Sequence, residues 1–186
     1  MKLAVTVLLI CCILCGCTSD DTLLDSAMDL RKKVLAAESC SFQAVITADY
    51  GDELYTFQMD CITDSVGNLQ FTVTDPETIS GITGTIAQDS AALTFDDKVL
   101  AFPRLADNQL TPVSAPWIFV NTLRSGYLTG CSREEAGFCI YIDDSYQDNP
   151  LHLEIETDSQ MNPVSVQIIW QDRRALCMDI RDFRMQ

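Results

Sequence analysis

The residues in this chain whose type and spacing suit chemistry are mostly cysteines, and the first of them is Cys17. Leu14-Cys15-Gly16-Cys17 closes an unbroken run of apolar and small residues from Leu3. Lys2 is the only charge ahead of it. The run has the length of a signal-peptide core and is too short to span a bilayer. Small residues at Cys15 and Gly16 let a peptidase reach the backbone, and Cys17 supplies a thiol for diacylglycerol. The stretch therefore reads as a bacterial lipobox, with palmitate-type acyl chains expected on Cys17. Two or more chains anchor stably where one binds only marginally. Residues 1–16 are then the signal peptide, 17–22 a lipidated tether and 23–186 the domain. The Cys12–Cys15 spacing falls in the removed segment.

Five further cysteines follow: Cys40, Cys61, Cys131, Cys139 and Cys177. An exported chain sits where disulfides form, and an odd number leaves one thiol over. Other chemistry is sparse. His152, the single histidine, lies on the polar side of an alternating strand and reads as solvated. No serine or cysteine has a histidine at motif spacing, and neither HExxH nor a phosphate loop is present. Asp96-Asp97 and Asp143-Asp144 sit at strand ends, where turn chemistry explains them. Asp143 to Asn149 lacks the closing glutamate of an EF-hand. No catalytic residue, metal site or cofactor is expected; the chain reads as a non-enzyme.

The elements that position these residues follow from periodicity. Leu23, Leu24, Ala27, Met28, Leu30, Val34 and Leu35 recur at helical spacing. That predicts an N-terminal helix packed on the domain rather than lying on a membrane. From Cys40 the period becomes two. Phe42, Ala44 and Ile46 alternate with polar or small residues, as do Tyr55, Phe57 and Met59 after Tyr50-Gly51. A two-residue turn there pairs Phe42 with Met59, Ile46 with Tyr55 and Cys40 with Cys61. That register predicts a Cys40–Cys61 bridge. Cys131 and Cys139 flank Glu134-Glu135-Ala136, a three-residue hairpin loop, and form the second expected bridge. Cys177 is left over on the polar side of the last strand, either inert or available for a disulfide-linked dimer. Further strands are predicted at 69–74, 81–87, around Leu93 to Phe102, and at 138–142, 151–155, 164–170 and 176–180. A helix carrying Trp117, Val120 and Leu123 lies between them, with Ser114 before it and Gly126 after it.

One helix, about five strands, a second helix and about four strands make a mainly β (α+β) domain. The expected architecture is a curved antiparallel sheet or half-open β-barrel, its other face wet. An N-terminal helix and a short lid helix cover the concave face. Thin cover predicts an apolar concavity lined by Phe42, Ile46, Tyr55, Phe57, Met59, Phe71, Trp117 and Val120. The chain carries 12 basic and 27 acidic residues. Without Lys2 the mature balance is 11 − 27 = −16, which disfavours nucleic acid. Attachment to anionic membranes must then come from lipid.

The arrangement resembles the LolA/LolB-like lipoprotein-carrier superfamily over residues 22–186. The resemblance rests on the lipobox, the helix running into Ser41-Phe42-Gln43-Ala44, and the hairpin after it. Leu93-Thr94-Phe95-Asp96-Asp97, the Ser114-Ala115-Pro116 helix and the pair Asp158 and Pro163 also contribute. It implies a half-barrel binding acyl chains or lipoprotein anchors. Germination-type lipoproteins of spore formers that resemble it hold a cell-wall amidase instead. Such carriers often use an arginine in the concavity, for which Arg104 and Arg124 are candidates without a firm match. The expectation is an extracytoplasmic lipoprotein anchored to the bacterial cell membrane, non-enzymatic, that serves as a protein-binding scaffold for a cell-envelope partner such as a cell-wall enzyme. The alternative is a carrier of lipid, acyl chains or lipoprotein anchors.

Overall fold

The computed structural model describes residues 19–88, 90–94 and 110–186. Helix α1 (Ser19–Ala36) precedes strands β1 (Ser39–Asp49), β2 (Leu54–Asp64), β3 (Leu69–Asp75), β4 (Thr83–Ala87) and β5 (Ser90–Thr94). A 3-10 turn (Pro112–Ser114) runs into helix α2 (Ala115–Ser125). Strands β6 (Tyr127–Arg133), β7 (Gly137–Asp143), β8 (His152–Asp158), β9 (Pro163–Trp170) and β10 (Arg173–Met185) complete it. All ten strands form one antiparallel sheet in the order β5-β4-β3-β2-β1-β10-β9-β8-β7-β6. β5 and β6 do not pair, so the sheet is an unclosed, curved half-barrel. It is two five-strand meanders joined at one seam, β1 against β10.

Alternation decides what each face does. Along β1 every second residue from Cys40 to Ala48 is buried, and β2, β3 and β8 follow the same rule. The inner face and the two helices share one core. Phe119 of α2 docks edge-on against Phe42 of β1 at 5.8 Å between ring centroids, and against Phe183 of β10 at 6.3 Å. Such pairs add about 1 kcal/mol each beyond burial.

The helices are tied to each other by exchanged arginines. Arg31 of α1 donates from Nε to the Leu123 carbonyl at 2.7 Å and from Nη2 to the Gly126 carbonyl at 2.8 Å. Arg124 of α2 donates from Nη1 to the Val34 carbonyl at 3.1 Å and from Nη2 to the Ser65 carbonyl at 2.6 Å. Each helix thus satisfies orphan carbonyls at the other's C-terminus, where the dipole favours a cation. Gly126 allows the close join. A Cβ there would stand 2.7 Å from the Asp143 carbonyl oxygen.

Several expectations change. The β1–β2 loop has four residues, Tyr50 to Glu53, closed by the Tyr50 N–H to the Glu53 carbonyl at 3.0 Å. The register therefore moves by two: Ala44 faces Met59, Ile46 faces Phe57, Phe42 faces Cys61, and Cys40 faces Thr63. A two-residue shift keeps every side chain on its face, so burial is unchanged while the cysteine pair is lost. Cys40 and Cys61 become diagonal neighbours, about 7–8 Å apart at Cα, beyond ordinary disulfide reach. The second bridge fails differently. Cys131 faces Ile140 and Cys139 faces Ser132, so the two thiols point to opposite sides of the sheet. All five cysteines are free thiols. The seven apolar positions of α1 also do not form one face. Ala27, Leu30 and Val34 are buried, whereas Leu24, Met28 and Leu35 are exposed. Strand β6 is an addition. The strand beyond Thr94 and Arg104 lie outside the described residues.

Candidate partner-binding surface

The predicted apolar concavity is occupied by the protein itself. Phe42, Ile46, Phe57, Met59, Phe71 and Val120 are each at most 3% exposed and belong to the core. Trp117 is half-buried on the rim of α2 and packs against that core. It borders a cavity of about 320 Å³ with Ile86, Ile118, Leu151, Asn121 and Asp144. Of the eight predicted face residues, Tyr55 alone is exposed.

Tyr55 leads to a different surface. The registers bring the start of β2, the end of β1, the β9–β10 turn and the β7–β8 loop to one end of the sheet. The Tyr55 ring meets Tyr50 edge-on at 5.4 Å, and Leu54 beside it is exposed. Arg173 reaches across with Nη2 to the Asp49 carbonyl at 3.3 Å, joining the two hairpin tips. Trp170, opposite Arg173, is half-buried there. Gln171 and Asp172 hold the turn with φ of 48° and 61°, the paired left-handed geometry of a tight hairpin. The exposed Tyr146 ring projects from the β7–β8 loop.

The same end is acidic. Asp49, Asp52, Glu53, Asp143, Asp144, Asp148 and Asp172 lie in these loops and strand ends, against Arg173 and Arg174. Tyr55 donates its hydroxyl to Glu53. A polar cavity of about 500 Å³ lies under the turn, lined by Asp148, His152, Glu154 and Asp172 among others. Aromatic and aliphatic anchors within a negative rim are the composition of a docking surface for a basic partner.

His152 is not simply solvated. It is half-buried, its Nδ1 stands 2.7 Å from Asp143 Oδ1, and its ring stacks on Tyr141. It ties β8 to β7. Asp144 holds the loop closed by accepting the Leu151 N–H at 2.8 Å. Of the two candidate arginines without a firm match, Arg124 serves α1 and the β2–β3 turn, and Arg104 lies outside the described residues. Cys177, between Thr47 and Gln167 on the outer face, is half-covered, and burial pushes its thiol pKa up. Cys17 lies outside the described residues. Sequence reading missed Leu54, Trp170 and Tyr146. Leu54, an apolar residue in the first position after an acidic turn, was the available signal.

No family model matches the chain, and no curated protein matches it. Solved structures similar to it include a LolA superfamily protein from Nitrosomonas europaea (8% identity, 86% of this chain and 93% of that one, TM-score 0.45). LprF from Mycobacterium bovis aligns at 11% identity over 84% and 90% of the two chains, with a TM-score of 0.35. The MucA/MucB complex of Pseudomonas aeruginosa aligns at 10% identity over 86% of this chain and 57% of the matched one, with a TM-score of 0.40. At such TM-scores the likenesses transfer no function.

Proposed function

We propose that this protein is an extracytoplasmic lipoprotein, anchored through acyl chains on Cys17, that binds another cell-envelope protein and catalyses nothing itself. Its partner is a basic protein, such as a cell-wall enzyme, engaged by the acidic end around Leu54 and Tyr55. The observation that carries this reading is the filled inner face. Six residues suited to line an acyl pocket are instead packed into the core, while apolar side chains open to solvent gather on the loop end. Among the described residues no helix is long and apolar enough to cross a membrane, which leaves lipid as the anchor in this reading.

The alternative, a carrier of acyl chains, is favoured by one feature, the cavity beside Trp117. At about 320 Å³ it stands at the small end of ligand pockets. A Cys177-linked dimer is disfavoured, since a half-covered thiol with a raised pKa exchanges slowly. The deciding experiment places a photocrosslinking residue at Leu54 or Tyr55 in the expressing cell. A discrete adduct with one basic envelope protein, absent when the crosslinker replaces Ile62 on the outer face, is the expected result. An acyl lipid retained in native mass spectra of detergent-free protein, without such an adduct, supports the carrier instead.

A further inference from the structure

Helix α1 carries two apolar stripes, and the core uses one. Ala27, Leu30 and Val34 are buried against the domain. Leu24, Met28 and Leu35 are 42%, 37% and 48% exposed. At about 100° per residue, these three fall within about 40° of one another, roughly a quarter turn from the buried stripe. The polar side lies beyond them. There Asp29 pairs with Lys32 at 2.9 Å in open solvent. A helix packed on one face needs only the first stripe.

The second stripe has a neighbour fixed by the chain. In sequence Cys17 lies seven residues ahead of Leu24 and eleven ahead of Met28. A lipid on Cys17 would hold the first turn at headgroup level, and Leu24 and Met28 follow within two and a half helical turns, about 14 Å. We propose that α1 lies along the bilayer surface through Leu24, Met28 and Leu35, so that the lipid and this stripe together fix the orientation of the domain. The proposal rests on the lipidation of Cys17. The acyl chains on Cys17 supply the anchor, and adjoining apolar contact adds to it and sets its orientation. The aspartates of α1 at 20, 21, 25 and 29 make neutral headgroups the better match.

The test uses the unaltered lipidated protein in phosphatidylcholine vesicles that contain a diazirine phospholipid. Adducts are mapped by mass spectrometry after illumination, and the intact mass reports acylation of Cys17. Adducts on Leu24, Met28 and Leu35 are expected in several-fold excess over Leu54 and Ile62, which are more exposed, at 67% and 55%. Replacing a third of the lipid with phosphatidylglycerol should lower the yield on the stripe. An acylated protein with even labelling, or with a stripe that crosslinks to a second copy, overturns the proposal and leaves the anchor intact. A chain without acyl groups overturns both.

Discussion

At the scale of the residue, the thiols and two aspartates carry predictions. Burial raises the pKa of every described cysteine, and Cys139 is pushed up to about 11. Cys61, almost fully buried, is displaced furthest. Unreduced protein, denatured and alkylated at once, should be labelled at Cys40, Cys61, Cys131, Cys139 and Cys177, not at the lipidated Cys17, and give no disulfide-linked peptide. In the native protein Cys61 should label last, since the thiolate is the nucleophile. A Cys40–Cys61 peptide would refute the observed register. Asp64 and Asp158 use one device at two hairpins. Each Oδ1 accepts the N–H groups two and four residues on, and each Oδ2 accepts the Asn68 or Asn162 side-chain amide. Burial is the largest single influence and pushes both carboxyls up, but these hydrogen bonds together outweigh it and hold both below the ordinary value. Depressed carboxyls add stability that is complete above about pH 3.9 and is lost as pH falls through the lower folded value. The double variant Asp64→Asn/Asp158→Asn should therefore melt with a shallower acid limb between about pH 4 and 2.

At the scale of the element, the exchanged arginines predict how α1 is held. Removing either leaves helix-end carbonyls without their charged donor. Arg31→Ala and Arg124→Ala should each cost about 2 kcal/mol in denaturant unfolding. The double variant should cost less than the sum, because both act across one interface. Hydrogen exchange in α1 should accelerate while β1 and β10 stay protected. An additive pair with unchanged α1 protection would place the arginines outside the helix contact. How much of these elements was legible depended on what the pattern can see. β1, β2, β3 and β8 were readable because one buried face imposes period two. β6 was not, because Gly130, Thr129 and Ser132 interrupt alternation and a register shift lies between Leu128 and Gly130. The register of β1–β2 was missed by two residues. Hydrophobic alternation is blind to an even shift, and only the four-residue loop distinguishes the two. The split of α1 was hidden because both stripes carry the same residue types. The proposed docking end was hidden because it is assembled from three loops distant in sequence.

At the scale of the whole molecule, the filled concavity makes Trp117 a rim residue with one open side. Trp117→Ala should lower the melting temperature by only a few degrees, on the order of 1–2 kcal/mol. Phe119→Ala, buried against two rings, should cost about 3–5 kcal/mol. Equal losses would mean that α2 packs as deeply through Trp117 as through Phe119. The seam between the meanders bears on how such a chain reaches its fold. Within each meander, every strand pairs with a neighbour in sequence. Across the seam, Cys40 pairs with Met185, the longest loop the fold must close. Closing it carries an entropy cost before its contacts repay it, and such topologies fold in milliseconds to seconds. In the proposed exported lipoprotein, a chain emerging N-terminus first carries β1 at the bare edge of the first meander, paired with β2 on one side and open on the other until β10 has followed. The half that folds first is thus sticky along what becomes the centre of the sheet. For that interval, keeping neighbouring chains apart falls to export rate and chaperones rather than to the native structure.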